Sequence, residues 1–564
     1  MLFGIFKLIS RYSDKKEFYS ILFYLFLSTI LQYLLYIILP VLAFKLTSIS
    51  LNNSENILNT NTNLKYFSEY FNFDLEKILY VTILLAISAN IFSLYFIKKS
   101  ALFSYKISSN IQIGVFKNYL YKKYSYFLNN AKSSSLNNII TDMFRLPAGI
   151  FIPYLQVISS LILSGLLIFT LFFVNFKISI IILLTIVIIY FQIFKFFRKK
   201  LYLTSVNISL SHKKIYEIVS YSLGLNKDVK IYNLENFINN KFSFLSKNLI
   251  STRSFANFIS SSPKYIVETI AILFSMLAIT IAYKSGKFNE EIILFFMFFG
   301  ILSIKIIPAI QAVYVSLSII QSNKSLMDNL PKINFNEFKF KNRINNFRRS
   351  IELKNVNFAY ENNKNILSNI NLKIKKGDTI SIVGSNGSGK TTLINLISGF
   401  IKPSKGKIYY DEKVMSNGNT FGLFSILDPN PIFMNSNIYE NICFKENITI
   451  KEKKKINEIL RFVELSSKNL KKYNSENLEA KISQGEKQKI ALARFLYFKK
   501  EFLIIDEGTT NLSSKLEFRL LQKIKKNYPN LTIIFITHRF VNLSFFNYIY
   551  EIKNHKLHRL KTYK

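Results

Sequence analysis

Residues 380 to 391 read Ile-Ser-Ile-Val-Gly-Ser-Asn-Gly-Ser-Gly-Lys-Thr. The first four predict a strand and the residues after the glycines predict a helix through Ile397, which is the context of a phosphate-binding loop. The glycines let backbone N–H groups converge on phosphate oxygens, and the helix N-terminus adds the positive end of its dipole. Lys390 would reach the β and γ phosphates of a nucleotide, and Thr391 would hold Mg²⁺.

Two later strands are predicted to end in polar residues at the same edge of a parallel sheet, where ligands bind. Residues 502–505 precede Asp506 and Glu507, and residues 532–536 precede His538. We expect Asp506 to bind Mg²⁺, Glu507 to polarise the attacking water and His538 to contact the γ phosphate. The predicted activity is ATP hydrolysis, with Glu507, His538 and the loop lysine as catalytic residues.

The chain has the composition of a membrane protein. Hydrophobic residues make up 49% of the 564 residues and charged residues 19%, so apolar blocks alternate with basic ones. A helix needs about 20 apolar residues to cross a bilayer, and six stretches meet that length: 19–44, 78–97, 149–174, 178–197, 265–283 and 292–320. We predict an α-helical membrane domain over residues 1–325, a linker over 326–350 and an α/β nucleotide-binding domain over 351–564.

The distribution of basic residues predicts the orientation of the spans. The connections 98–148 and 198–264 are basic and about fifty residues or longer, so we place them in the cytoplasm with helices that extend beyond the bilayer. The shorter or less basic connections face outward, and both termini lie inside. In the first outer connection, residues 64–71 have helical spacing, which fits a short amphipathic helix on the membrane surface or a packed loop segment.

Net charge and cysteine count exclude two other classes of protein. A net charge of +40 fits nucleic-acid binding or the cytoplasmic side of a membrane protein, and the six spans favour the second, so we expect no nucleic-acid partner. Cys443 is the only cysteine, which rules out an internal disulfide and a thiolate metal site.

Residues 482–494 read Ile-Ser-Gln-Gly-Glu-Lys-Gln-Lys-Ile-Ala-Leu-Ala-Arg, which resembles the signature of ATP-binding cassette (ABC) transporters. The order of the other motifs along the chain is also similar to that family, and Phe358-Ala-Tyr360 resembles its aromatic loop, whose tyrosine stacks on adenine. The resemblance implies that ATP is bound by residues of the aromatic loop, the phosphate loop and the signature: Tyr360, Gly384, Ser385, Asn386, Gly387, Ser388, Gly389, Lys390, Thr391, Thr392, Ser483, Gln484, Gly485 and Glu486.

The family works with two cassettes and twelve spans, so the resemblance implies a dimer, either a symmetric homodimer or a pair with a related half-transporter. Ser483 and Gly485 would then act on the nucleotide of the partner. A membrane domain that precedes the cassette resembles type IV exporters, which couple through short helices at the tips of the inner loops. We expect these near residues 126–130 and 223–230. The implied location is the bacterial cytoplasmic membrane, with the cassette in the cytoplasm.

The sequence departs from the family pattern in the cassette. The family's Mg²⁺-contacting glutamine is missing between residues 421 and 434, and we expect Asp428 or Asn430 to supply the oxygen ligand, with water in between. Ser513 stands where the family has aspartate, and Gln484 and Glu486 where it has glycine and glutamine. These departures predict slow or differently tuned hydrolysis. The alternative is a nucleotide-gated membrane protein that barely hydrolyses ATP.

Several stretches bear on the substrate. Residues 124–130, 228–235 and 262–269 resemble bacterial lipid-linked oligosaccharide flippases, so the predicted substrate is such a lipid or a related glycolipid, exported or flipped, with another lipid or a peptide as alternatives. Charges within membrane helices are expensive. We predict that Arg145, Lys264 and Lys305 line a cavity that holds an anionic headgroup such as pyrophosphate. The alternative is a Lys264-Glu268 helical pair and a snorkelling Lys305.

Overall fold

The computed structural model describes residues 1–50, 75–122, 124–129, 141–174, 176–284, 290–330, 347–360, 365–415, 420–465, 478–537 and 543–560. It divides into two compact units, one of Met1–Tyr121 with Asn130–Phe335 and one of Lys122–Asn129 with Asn336–Lys564. We keep the predicted linker, residues 326–350, as a proposal, because residues 331–346 lie outside the described part. The proposed outer helix at residues 64–71 also lies outside it.

The first unit is built from helices. In chain order they are α1 (Leu2–Tyr12), α2 (Lys15–Ser50), α3 (Leu75–Leu120), α5 (Met143–Leu146), a π-helical turn (Pro147–Phe151), α6 (Ile152–Val174), α7 (Phe176–Gly224), α8 (Asn226–Ile231), α9 (Glu235–Ser261), α10 (Pro263–Lys284), α11 (Glu290–Ser322) and α12 (Ser325–Asp328). The short helix α4 (Tyr124–Asn129) lies between α3 and α5 in the chain and belongs to the second unit.

Several of these helices are long enough to cross a bilayer. Among the described residues, four segments combine that length with sufficient hydropathy: Lys15–Ala43, Leu75–Leu120, Met143–Phe173 and Phe299–Ser322. The fourth and fifth predicted spans, residues 178–197 and 265–283, lie within α7 and α10, and their crossing of the membrane stays a prediction. Helices α3 and α7 have 46 and 49 residues. At 1.5 Å per residue each is about 70 Å long, more than twice the ~30 Å hydrocarbon core.

Apolar seams and a few polar bonds hold the helices together. Leu163, Leu167 and Leu171 of α6 pack on α11, and Tyr190 of α7 packs on Tyr314 of α11. Between α2 and α3, Gln32 Nε2 donates a hydrogen bond to Ser93 Oγ at 2.7 Å. Large apolar side chains on the outer faces are exposed, which suits helices that meet lipid.

The second unit contains two sheets. The four-stranded antiparallel sheet has the order β2-β1-β4-β5, and the six-stranded sheet has the order β10-β9-β3-β8-β7-β6, parallel except for β10. The strands are β1 (Ser350–Ala359), β2 (Asn365–Lys375), β3 (Thr379–Gly384), β4 (Lys405–Tyr410), β5 (Lys413–Val414), β6 (Phe424–Leu427), β7 (Phe502–Asp506), β8 (Thr532–Ile536), β9 (Tyr548–Lys553) and β10 (Lys556–Leu560).

Helices cover the six-stranded sheet. They are α13 (Lys390–Ser398), α14 (Ile438–Cys443), α15 (Ile450–Phe462), α16 (Leu478–Lys481), α17 (Gln484–Phe498) and α18 (Ser514–Asn527), with 3₁₀ turns at Phe421–Leu423 and Leu543–Phe545. Alternate residues of the central strands enter two separate cores: Ile533 of β8 joins one and Ile534 the other. The sheet is therefore buried on both faces, as its continuous apolar strands predict.

We predict that Ile533→Ala destabilises the cassette by about 2–5 kcal/mol, because it leaves a cavity beside a fully buried strand. The matched control is Ile450→Ala, since Ile450 is 87% exposed. Cys443, the only cysteine, is buried in the same core as Ile533, so its rate of labelling by a thiol reagent reports cassette opening in the intact protein. Equal labelling curves in urea for the two variants would contradict the assignment of this core.

Candidate nucleotide-binding site

The phosphate loop follows the central strand β3, which pairs in parallel with β8 and β9. Gly387 and Gly389 have φ of +77° and +104°, in the left-handed region that favours glycine. A Cβ on Gly389 would lie 3.0 Å from the side chains of Ile366 and Leu367, so this position also lacks space. Gly389 caps α13, whose free N–H groups and dipole are available to an anion.

Lys390, the first residue of α13, is nearly buried. Its Nζ donates to the carbonyl oxygens of Gly384 and Ser385, each at 2.9 Å. Burial lowers the pKa of this ammonium, and the carboxylates of Glu507 and Asp506 act in the opposite direction. The lysine is thus held at the loop as a positive charge close to two acidic side chains.

A hydrogen bond joins the phosphate loop to the end of β7. The hydroxyl of Thr391 donates to Asp506 Oδ2 at 3.1 Å. Burial raises the pKa of the Asp506 carboxyl, the Thr391 hydrogen bond lowers it, and the negative charges of Glu507 and Asp428 raise it. These oxygen-bearing side chains therefore come together as predicted from the sequence, and Asp428 lies within electrostatic range of them.

This donor set fits Mg²⁺. No group of three or more acidic, histidine or cysteine side chains that would form a complete metal cage occurs among the described residues. Mg²⁺ usually binds through one or two carboxylates together with substrate phosphates and waters, and Thr391 with Asp506 offers such a partial set of hard oxygen ligands. Binding of Mg²⁺ here, with Asp428 as an outer ligand, remains a proposal.

The backbone at Glu507 is strained. Its φ is +53°, a conformation that costs a non-glycine residue about 1–2 kcal/mol and that is concentrated at functional sites. The next residue, Gly508, packs so closely on β6 that a Cβ would lie 2.3 Å from the carbonyl oxygen of Leu427. The close packing of Gly508 on β6 therefore sets the direction in which the chain leaves β7 at Glu507.

The signature begins with a helix cap. The hydroxyl of Ser483 accepts from the Glu486 N–H at 3.2 Å, and Glu486 Oε2 accepts from the Ser483 N–H at 2.7 Å. This reciprocal pattern is a capping box, and the sequence Ser-x-x-Glu carries its signal. Glu486 therefore has a structural contact that our sequence interpretation, which assigned it to ATP, missed. Ser513, read as a departure, likewise caps α18 by accepting from the N–H of Leu516.

Gln488, which sequence reasoning missed, is buried and joins both segments that depart from the family pattern. Its Nε2 donates to the carbonyl of Pro429 at 3.4 Å, and its Oε1 accepts from the N–H of Asn511 at 3.1 Å. A Cβ on Gly485 would lie 3.3 Å from the carbonyl oxygen of Asn511, so the signature and this loop approach closely. Only its place one turn into the helix that follows Ser483 could have indicated Gln488.

Two aromatic residues lie close to this region of the second unit. Tyr360 is 38% exposed and its ring packs edge-on to Phe358 at 4.9 Å, so one face of a tyrosine remains available for stacking. The ring of Tyr124, on the short helix α4, lies 4.9 Å from that of Phe400. Burial and the charge of Asp428 raise the pKa of the Tyr124 hydroxyl. His538 lies outside the described residues.

The three predicted cavity residues have separate partners in the first unit. Lys264 Nζ lies 3.8 Å from Glu268 Oε1, which is the helical pair that the sequence left open as the alternative. Lys305 Nζ lies 5.1 Å from the centre of the Tyr36 ring. Arg145 donates to Asn323 Oδ1 at 3.0 Å. Their membership of one cavity stays a proposal.

Comparisons with known proteins agree with this geometry. The model of the ABC transporter family matches residues 367–510. The multidrug resistance-like ATP-binding protein MdlA of Buchnera aphidicola is 28% identical over 506 residues, 86% of each chain. The ATP-dependent lipid A-core flippase of Wigglesworthia glossinidia brevipalpis is 27% identical over 478 residues, 80% of this chain and 79% of that protein. A bacterial Atm1-family ABC exporter with ATP bound has the same fold, with a TM-score of 0.74, 16% identity, and coverage of 96% and 95%.

A phosphate loop in a doubly covered parallel sheet, joined in one chain to membrane-length helices, defines a membrane-bound ATPase. The chain belongs to the ABC transporter family, as a half-transporter of the exporter type. It binds ATP and couples its hydrolysis to transport, as a multi-pass protein of the inner membrane with the cassette in the cytoplasm.

We predict that Gly508→Ala lowers kcat for ATP hydrolysis at least about tenfold and leaves the Kd for ATP nearly unchanged, because it displaces Glu507 and not the phosphate loop. The control is Gly422→Ala in the same domain, where an added Cβ meets nothing within 4 Å. Steady-state turnover and equilibrium nucleotide binding separate the two effects. A Gly508→Ala protein with the turnover of the Gly422→Ala control would contradict the role of this close contact.

Proposed function

We propose that this half-transporter flips or exports a lipid with an anionic saccharide headgroup, namely a lipid-linked oligosaccharide or a related glycolipid. The observation that carries the proposal is the similarity over four-fifths of the chain to an ATP-dependent lipid A-core flippase. The similarity to MdlA is as extensive, and an exporter of another lipid or a peptide is therefore the competing function. The resemblance of residues 124–130, 228–235 and 262–269 to glycolipid flippases supports the first.

The cassette side chains support ATP hydrolysis as the energy source. Lys390 is positioned beside the phosphate loop, and Thr391 and Asp506 are in contact at its edge. Mg²⁺, when bound there, would neutralise charge on the transferred phosphate. Glu507 follows Asp506 at the same sheet edge, where a carboxylate can orient the attacking water. His538 completes the proposed catalytic set.

The proposal includes a dimer of two such chains. One chain carries a single phosphate loop and a single signature, and the hydroxyl of Ser483 at the start of α17 is the group offered to a partner's nucleotide. A symmetric homodimer would form two equivalent sites from these two halves. The short helices α4 and α8, near the predicted coupling segments, would carry the motion to the membrane helices.

We predict that Glu507→Gln abolishes ATP-driven movement of a fluorescent polyprenyl-pyrophosphate glycan in reconstituted vesicles, with at least about a hundredfold loss of ATP hydrolysis and retained ATP binding. The amide keeps the shape of the carboxylate and removes its charge. Glu446→Gln, an exposed carboxylate of the same domain, is the control. Hydrolysis that survives Glu507→Gln would refute the assigned role, and ATP-dependent movement of a peptide but of no glycolipid would refute the substrate class.

Complementation tests the dimer. Lys390→Ala should inactivate a phosphate loop, and Ser483→Asp should place a negative charge at the signature and still cap α17. If the signature acts on the partner's nucleotide, a mixed dimer of the two variants has one intact site and should recover about half of the wild-type activity per dimer. Each variant alone should be inactive. Differently tagged, co-expressed chains isolate the mixed dimer, and its failure to hydrolyse ATP would contradict the shared site.

A further inference from the structure

A cluster of charged side chains lies around Arg145 in the first unit. Arg145 lies on α5, immediately before the π-helical turn Pro147–Phe151, and its Nη2 donates to Asn323 Oδ1 at 3.0 Å. A Cβ on Gly149 would lie 2.8 Å from Asn323, so the glycine in this turn lets Asn323 pack closely enough to hold the guanidinium. Irregular π turns of this kind are frequent at functional sites.

A second guanidinium belongs to the same cluster. Nη2 of Arg253, on α9, lies 2.9 Å from Nε2 of His212, on α7. Burial, together with the positive charges of Arg145 and Arg253, lowers the pKa of the His212 imidazole to about 4. The ring is therefore neutral at physiological pH, and its Nε2 lone pair accepts the hydrogen bond that orients Arg253. The same shift places both guanidiniums within electrostatic range of one imidazole.

One carboxylate opposes these two positive charges, and it is less accessible than they are. Asp142 Oδ1 lies 3.7 Å from Arg145 Nη1, too far for a hydrogen bond, and 2% of the aspartate side chain is exposed. Arg145 keeps 18% of its side chain exposed, and Arg253 is exposed. With His212 neutral, the named groups carry one net positive charge. An ion arriving from water therefore meets guanidinium groups before it meets the carboxylate.

The hydrogen-bonding capacity of the cluster is only partly used. Asp142 Oδ1 and Arg145 Nη1 are buried and have no hydrogen-bond partner within the part of the chain that the structure describes. Each guanidinium offers five N–H donors in a planar fork that matches phosphate oxygens. A headgroup that combines phosphate oxygens with sugar hydroxyls supplies acceptors for the arginines and a donor for the aspartate.

We propose that Arg145 and Arg253, held by Asn323 and His212, form a binding site for the phosphate or pyrophosphate of an anionic headgroup. This assignment rests on the proposed glycolipid function. It keeps Arg145 from the predicted cavity residues and replaces Lys264 and Lys305 with Arg253. Arg145 and Arg253 contact the anion, and Asn323 and His212 are positioning residues.

The test uses the full-length chain in phosphatidylcholine nanodiscs, with Lys390→Ala in every sample so that the phosphate loop does not bind the probes. The probes are radiolabelled farnesyl pyrophosphate, inorganic pyrophosphate and, as the uncharged comparison, farnesol. Arg145→Gln and Arg253→Gln should each weaken binding of farnesyl pyrophosphate at least about tenfold, the loss expected for a charge-assisted hydrogen bond. Farnesol binding should not change.

Matched variants separate recognition from folding. Lys247→Gln removes an exposed positive charge from the same helix as Arg253 and should change binding at most about twofold, because Lys247 is not one of the residues of the proposed site. His212→Gln retains an acceptor for Arg253 and should bind more tightly than His212→Phe. Arg145→Lys, which keeps the charge and loses the fork, covers the case in which Arg145→Gln does not fold. Folding of each variant is checked by far-UV circular dichroism and thermal unfolding of the purified full-length chain.

The outcomes are distinct. Competition by inorganic pyrophosphate would show that the phosphates suffice, and binding of farnesyl pyrophosphate alone would show that the lipid chain is needed; either result supports the site. Wild-type affinity in both arginine variants, an equal loss in Lys247→Gln, or no binding of either pyrophosphate probe would overturn it. Because binding requires no ATP hydrolysis, failure here is distinguishable from failure of glycolipid transport, which the Glu507→Gln vesicle experiment measures.

Discussion

The parallel pairing of β3, β8 and β7 is the constraint on which the catalytic geometry depends. These strands are buried on both faces, and their shared direction brings the ends of β3 and β7 to one edge. The hydrogen bond between Thr391 and Asp506 joins residues 115 positions apart in the chain and exists because of that pairing. A register shift of one residue in β3 or β7 would turn the side chains of that strand to the opposite face of the sheet. It would also separate the phosphate loop from its acidic partners.

The parts of the site that follow directly from strand–loop–helix geometry were predictable from sequence. Glycine spacing located the phosphate loop, in which Gly387 and Gly389 have left-handed backbone, and the acidic pair after an apolar strand located Asp506. What could not be predicted depends on contacts between distant segments. Nothing local to Gly508 indicates that its missing Cβ makes room for the Leu427 carbonyl, and nothing local to Gln488 indicates its two backbone partners.

The departures from the family pattern acquire a physical meaning in this structure. Pro429 and Asn511 belong to the two segments in which expected residues are missing, and the single buried amide of Gln488 bonds both. Their positions are therefore coupled through one side chain that also lies on the signature helix. Ser513, in place of a family aspartate, retains the N-cap of α18, because serine and aspartate cap helices about equally well. The substitution changes charge and leaves the helix start intact.

In the membrane unit, the buried charges are not explained by the packing of the helices. Its helices associate mainly through apolar seams, and a buried pair such as Asp142 and Arg145 costs desolvation that a 3.7 Å separation does not recover. Replacing a buried ion pair by apolar residues of similar size is often neutral or stabilising, so stability alone is a weak reason for these charges. Local rules are broken most often where function requires it. The π turn, the glycine that admits Asn323 and the neutral imidazole that orients Arg253 all arrange these charges, and the proposed headgroup site would give them a role that helix packing does not.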